Sequence, residues 1–232
     1  MHSIKRNSMN FMGIEMGCDK FFIRFMRLIF GLFLYALGIV MTLKANVGYA
    51  PWDVLHVGLA KTTGITIGLA SILVGLLIVA VTFLLGEKLG LGTILNMILI
   101  GAFLDLILMV DVIPTMENSY WGIVLLIAGL FVISIATYYY IGSGFGAGPR
   151  DSLMVALARK TNLPIGFCRG TIEVVAVVVG WRLGGMVGIG TIVAAFTVGF
   201  CIQLTFRILK FDPKQVHHQT LRATYQALFQ SK

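Results

Sequence analysis

NVGYAPWDVLHVGLAKTTG at 46–64 and GFGAGPRDSLMVALARKTN at 144–162 are one passage written twice, 98 residues apart. Eight of the nineteen positions are identical: Gly48/Gly146, Pro51/Pro149, Asp53/Asp151, Leu55/Leu153, Val57/Val155, Leu59/Leu157, Ala60/Ala158 and Thr63/Thr161. Without a gap, the same offset pairs Ile67-Gly68 with Ile165-Gly166 and Gly86 with Gly184. It also pairs Gly90-x-Gly92-Thr93-Ile94 with Gly188-x-Gly190-Thr191-Ile192, and Gly101 with Gly199. Apolar composition inflates matches at Leu, Val and Ala, so the weight rests on Gly, Pro, Asp and Thr. Those hold one register over more than fifty residues, which marks an internal repeat.

Each copy starts a helix with Pro after a glycine-containing lead-in, the ordinary signature of a first helical turn. About twelve residues follow before a Thr, and a helix of that length is about 18 Å long, too short for a hydrocarbon core of about 30 Å. Two readings are open. The pair at 51–62 and 149–160 either dips into the membrane as re-entrant half-helices or lies flat on the two membrane surfaces. Irregular backbone at membrane depth requires protein or a water-filled cavity to satisfy it.

The remainder of the chain makes a membrane setting unavoidable. Of 232 residues, 58% are hydrophobic and only 12% charged, with 27 glycines and a mean hydropathy of +0.92. A soluble domain carries about 25% charged residues. Apolar runs place spans near 25–43, 66–85, 92–111, 119–141, 165–182 and 188–209, each near the length that crosses a bilayer. The expected fold is all-α: six transmembrane helices in two three-span repeats, 25–112 and 119–210, each with a short Pro-started half-helix. Three is odd, so the second repeat enters the membrane from the opposite side and the repeats are inverted, a plan that recurs in secondary transporters.

The net charge of +8 does not point to nucleic acid, because the basic residues lie between the spans. With the N-terminus inside, fourteen fall on the cytoplasmic side, from Lys5 and Arg6 through Lys88, Arg150 and Arg159 to Lys232. Lys44, Lys61 and Arg182 fall outside, and Arg169 lies within a span. Positive-inside bias therefore predicts a multi-pass protein of the bacterial inner (plasma) membrane with both termini cytoplasmic. Residues 1–24 read as a tail before an uncleaved first span, and 211–232 as a second tail. In that second tail Val216, Leu221, Tyr225, Leu228 and Phe229 line one stripe of an interfacial helix. Cys18, Cys168 and Cys201 form no C-x-x-C pair, so neither a disulfide framework nor a metal site is expected.

LIFGLFLYALGIVMTLKANVGYAPWDVLH, GLGTILNMILIGAFLDL, GSGFGAGPRDSLMVALARKT and VGIGTI resemble the YczE/YyaS/YitT family of small bacterial membrane proteins, in its YczE-like branch. The resemblance covers about residues 22–205 and is carried by A-P-W-D, G-P-R-D and the twin G-x-G-T. It implies an integral plasma-membrane protein, with export of small molecules suggested for relatives.

Candidate substrate-binding residues are Asp53, Asp151, Trp52, His56, Arg150 and Asn96. Asp53 and Asp151 stand in the first turns of the short helices, where a carboxylate complements the helix dipole or binds a cation or proton. Trp52/Arg150 and His56/Met154 occupy equivalent positions yet differ, as an asymmetric ligand requires, or as an outer aromatic and an inner basic anchor would. Asn96 serves as interhelical glue by default. Proton coupling is assigned to Glu173, Arg169 and Asp105. Arg169 and Glu173 share a helix face at i, i+4, and an ionisable group that deep in a span faces a cavity or a partner. Asp105 matches Gln203 in the repeat.

The function these features predict is a secondary transporter, an exporter of a small organic molecule, working by alternating access. The alternative is a non-transporting accessory or scaffold protein for another membrane or biosynthetic complex. No Walker loop, H-E-x-x-H or nucleophile elbow is present, so neither an enzyme nor a cofactor is expected. The expected partners are the lipid bilayer, an unidentified small molecule and a second copy of the chain as a homodimer.

Overall fold

The computed structural model describes residues 8–11, 14–87, 90–213 and 216. Lys88, Lys214 and the tail helix expected over 216–229 lie outside the described residues, apart from Val216. A short antiparallel ribbon, β1 (Ser8–Phe11) and β2 (Ile14–Gly17), precedes the helical body. Eight helices follow among the described residues: α1 (Cys18–Lys44), α2 (Pro51–Thr63), α3 (Ile67–Leu84), α4 (Leu91–Val110), α5 (Ser119–Gly142), α6 (Pro149–Thr161), α7 (Ile165–Arg182) and α8 (Ile189–Ile208). The bounds of α2, α3 and α4 reappear in α6, α7 and α8 shifted by 98 at both ends. Helix α1 starts at Cys18 rather than at the expected 25. Its early turns are held because Phe21 and Phe25 pack edge-on to Phe145 at 5.5 and 6.4 Å.

Helices α1 and α5 form the spine. Leu28, Leu32, Ala36, Ile39, Val40 and Leu43 recur at helical spacing and are buried against Leu126, Leu130, Ile133 and Tyr140. Small residues let the backbones close: a Cβ on Gly31 would sit 2.8 Å from the Tyr140 nitrogen, and one on Gly129 would sit 2.9 Å from the Gly38 oxygen. Early α1 thus meets late α5, and late α1 meets early α5, so equivalent helices of the two halves pack antiparallel. At one end of this spine the Lys44 ammonium pairs with Asp111 at 2.5 Å. At the other, Arg24 Nε donates to the Ser143 carbonyl.

The irregular stretches ahead of α2 and α6 are satisfied by the other half. Gly190 N–H donates to the Val47 carbonyl at 2.7 Å, and Gly92 N–H donates to the Phe145 carbonyl at 2.8 Å. These two bonds coincide under the 98-residue shift. They explain the twin G-x-G-T motifs: the glycines open the first turns of α8 and α4 to a foreign backbone, and Thr191 and Thr93 cap those turns. Gly48 and Gly146, at φ +111° and +123°, take the left-handed conformation that the crossing requires.

From these crossings α2 and α6 run apart. Trp52, in the first turn of α2, packs among Val74 and Ile78 of mid-α3 and Ile172 and Ala176 of mid-α7. By its last turn, Lys61 and Thr62 reach the Gly184 and Leu183 carbonyls beyond α7. Arg159 at the end of α6 pairs with Glu87 beyond α3 at 2.9 Å. Helix α6 meets α7 at a bend of 119°, and the first turns of α2 and α6 are buried within the bundle, at Pro51, Trp52 and Asp53 and at Pro149.

The outer surface is apolar, with Leu77 at 65% and Phe196 at 83% exposure, an arrangement water would not tolerate over a whole bundle. Five helices are individually long and apolar enough to cross a bilayer, and α7 becomes the sixth when taken with α6. One asymmetry separates the halves. Helix α3 lies along α4, and a Cβ on Gly101 would stand 2.6 Å from the Gly68 oxygen. At the equivalent Gly166 and Gly199 an added Cβ would meet no atom within 4 Å, and α7 stands away from α8.

Candidate functional site

Where the first turns of α2 and α6 converge, a cavity of about 280 Å³ opens between the halves. Its wall alternates apolar groups from α1, α4 and α8 with a polar set: Tyr35, His56, Asn96, Tyr140, Arg150, Asp151 and Arg169. In a bundle whose outside is hydrocarbon-like, such a concentration of polar groups must answer to water or a ligand.

Five of the nine sequence candidates line it: His56, Asn96, Arg150, Asp151 and Arg169. Three others stand directly behind. The Arg150 guanidinium lies over the Trp52 ring at 4.8 Å, a cation–π contact worth about 0.5–2 kcal/mol. Asp53 Oδ1 is 3.5 Å from His56 Nδ1, both side chains being almost wholly buried. Arg169 Nε donates to Glu173 Oε1 at 2.8 Å. The lining layer is thus oriented by a backing layer drawn from the same two or three turns of helix.

Two expectations are corrected here. Trp52 is 9% exposed, so it is no outer aromatic anchor. Arg150 lies in the interior rather than at a membrane surface, which leaves thirteen basic residues against three in the orientation argument. The cause is shared: the half-helices carry their N-termini inward, and the two side chains stack on each other there.

Asp105 stands away from the cavity. Its Oδ1 accepts from Gly68 N–H at 2.7 Å and its Oδ2 from the Thr66 hydroxyl at 2.5 Å. It therefore ties the end of α4 to the start of α3, and Gln203 makes no such tie across the open seam of α7 and α8.

Tyr35, Tyr140, Ser71 and Thr137 also line the cavity, and nothing in the sequence singles them out. They sit in long apolar runs, and Tyr140 is one of three consecutive tyrosines. The repeat register was the available signal, since Tyr140 falls opposite Thr42 and Ser71 opposite Arg169.

Fold and cavity together define a polytopic helical membrane protein built from two like halves around a polar centre. Residues 22–207 match the model of a family of unknown function, DUF6198, and the chain belongs to that family. It is 33% identical over 177 residues to the uncharacterized membrane protein YczE of Bacillus subtilis, covering 75% of this chain and 81% of that one. An uncharacterized protein of Haemophilus influenzae is 33% identical over 182 residues, 78% of this chain and 83% of its own. The uncharacterized protein YyaS of Bacillus subtilis is 27% identical over 183 residues, 78% of this chain and 90% of its own. No solved structure matches.

Proposed function

We propose that the protein is a secondary transporter of a small organic molecule, acting as an inverted repeat whose halves exchange conformations around the central cavity, and not an enzyme. The observation that carries this is the cavity itself, polar and placed where two half-helix N-termini meet, as in transporters built from broken helices. The unequal seams support it further. Gly68/Gly101 are closed while Gly166/Gly199 are open, so identical residues hold two arrangements in one chain, which is what a rocking cycle exchanges.

The test uses purified protein in liposomes loaded with a water-soluble metabolite extract. Protein-dependent equilibration of one or a few compounds, followed by mass spectrometry, is the expected result. Release no different from that of protein-free liposomes would remove the transport reading and leave the scaffold.

The orientation belongs to the same proposal: both termini cytoplasmic, from the thirteen-to-three bias of basic residues. In a background lacking Cys18, Cys168 and Cys201, Glu117→Cys should react with an impermeant thiol reagent added to intact cells. Lys160→Cys should react only after permeabilisation. The reverse pattern would invert the assignment.

A further inference from the structure

We infer that the cavity takes a zwitterion, a small molecule carrying one anionic and one cationic group in the manner of an amino acid. The inference rests on the transport reading only in taking the cavity as a ligand site. It starts from which charges on the wall are already answered. Arg169 is bonded to Glu173, and His56 has Asp53 beside it. Among the described residues the Arg150 guanidinium stacks on the Trp52 ring and has no carboxylate within ion-pair range. Asp151, the next residue, accepts no hydrogen bond and joins no ion pair among them, and its exposed side chain faces the cavity. One cationic and one anionic side chain thus stand without a direct ion-pair partner in the first turn of α6, with Arg169 and Arg150 acting on Asp151 only through space.

The first-turn N–H groups of a helix are themselves unsatisfied and favour an anion. In α6, Pro149 has no N–H and Ser152 N–H donates to the Gly148 carbonyl, so the Arg150 guanidinium, with the Arg150 and Asp151 N–H groups beside it, forms the anionic subsite. A second set of groups marks the cationic one. Tyr140 is 2% exposed, and its hydroxyl makes no well-formed hydrogen bond among the described residues, with the Gly148 backbone beside it. That oxygen lies 3.0 Å from the position a Cβ would take on Gly148, with Asp151 Oδ2 at 3.4 Å and the Asn96 amide nitrogen at 3.8 Å from the same point. Three polar groups therefore gather round the bare Cα of residue 148, where no side chain of its own separates them.

A carboxylate, a phenol oxygen and an amide, whose carbonyl end can be turned to that point, suit an ammonium group. A purely anionic ligand would leave Asp151 unpaired and a purely cationic one would leave Arg150 so, each costly away from water. The remaining wall, with Ile78, Ile100, Val198 and Ile202 among it, is apolar. The volume lies just below the ~300–1,000 Å³ of drug-sized sites, so the ligand is small.

The experiment measures binding to the full chain in lipid nanodiscs, by thermal shift and calorimetry, with three matched probes: pooled neutral amino acids, the pooled amides of the same compounds, and the pooled deaminated acids. The amino-acid pool should raise the melting temperature, and its best member should bind at least tenfold more tightly than its amide or its acid. Gly148→Ala adds only a methyl group, at φ −64° and ψ 161°, which any residue adopts. It should cancel the preference over the acid, with the ligand-free melting temperature read alongside because the new Cβ presses on the Tyr140 hydroxyl at 3.0 Å, and Asp151→Asn, which adds no bulk, should cancel the same preference. Equal binding of acids, equal binding of amides, or no binding by any pool would each overturn the zwitterion. Selective binding without liposome counterflow would support the ligand class and remove transport alone.

Discussion

Gly68→Ala is expected to drive the protein out of the state described here, and Gly166→Ala to hold it there, each stopping turnover. The two glycines are equivalent in the repeat, yet their surroundings are opposite. A Cβ on Gly68 would collide with the Gly101 carbonyl oxygen and lie 2.5 Å from the Asp105 carboxyl carbon, whereas one on Gly166 would meet nothing within 4 Å. Overpacking of this kind costs about 1–3 kcal/mol, and a bias of that size moves a two-state equilibrium about 5–150-fold. If the cycle closes α7 on α8 as α3 now closes on α4, the collision at Gly166 arises in the other state only.

Spin labels at Phe167 and Phe200, both exposed and next to the open glycine pair, report the separation of α7 and α8. The distance should shorten in the Gly68→Ala variant and stay long in Gly166→Ala. Wild-type flux from Gly166→Ala would mean that α7 and α8 never close, and exchange between the halves would fall with it.

That expectation draws on what the sequence already carried. A repeat held in register by Gly, Pro, Asp and Thr is legible because those residues answer backbone demands: a first helical turn at Pro51 and Pro149, a left-handed crossing at Gly48 and Gly146, a capped turn at Thr93 and Thr191. Local demands leave local signatures. The burial of the half-helix starts left none, because Trp52 and Arg150 read equally well as membrane-surface anchors until their contact with each other is seen. Asp105 was only half legible: it accepts from the Thr66 hydroxyl, which the sequence spells out, and from Gly68 N–H, and a backbone N–H has no letter in the sequence. The pairing of Arg169 with Glu173 was legible, being set by i, i+4 spacing within a single helix.

Glu173→Gln is expected to abolish accumulation driven by a proton gradient while leaving substrate exchange across the membrane largely intact. Glu173 backs the cavity-lining Arg169 and is 15% exposed at its side chain. It stands on the side of α7 that faces the open seam. The equivalent position in the closed seam is Gly75, tight against Met97, whose Cγ would be 2.7 Å from an added Cβ. In the second half that pair becomes Glu173 and Ala195, a large residue on α7 facing a small one on α8. If the seam closes as α3 closes on α4, the Glu173 side chain comes against α8 at Ala195, the counterpart of Met97. On the transport proposal, coupling to a proton gradient requires that separation of Glu173 from Arg169 be tied to proton binding there, one proton for each rocking step. Gln resembles the protonated acid at all times, which lets the seam open and close with substrate but removes the link to the gradient. Counterflow and uphill uptake, measured in the same liposomes with a confirmed substrate, separate the two properties. If the Glu173→Gln protein still concentrates substrate when a proton gradient is imposed, coupling lies elsewhere, and Asp151, the carboxylate left unpaired in the cavity, becomes the group to test.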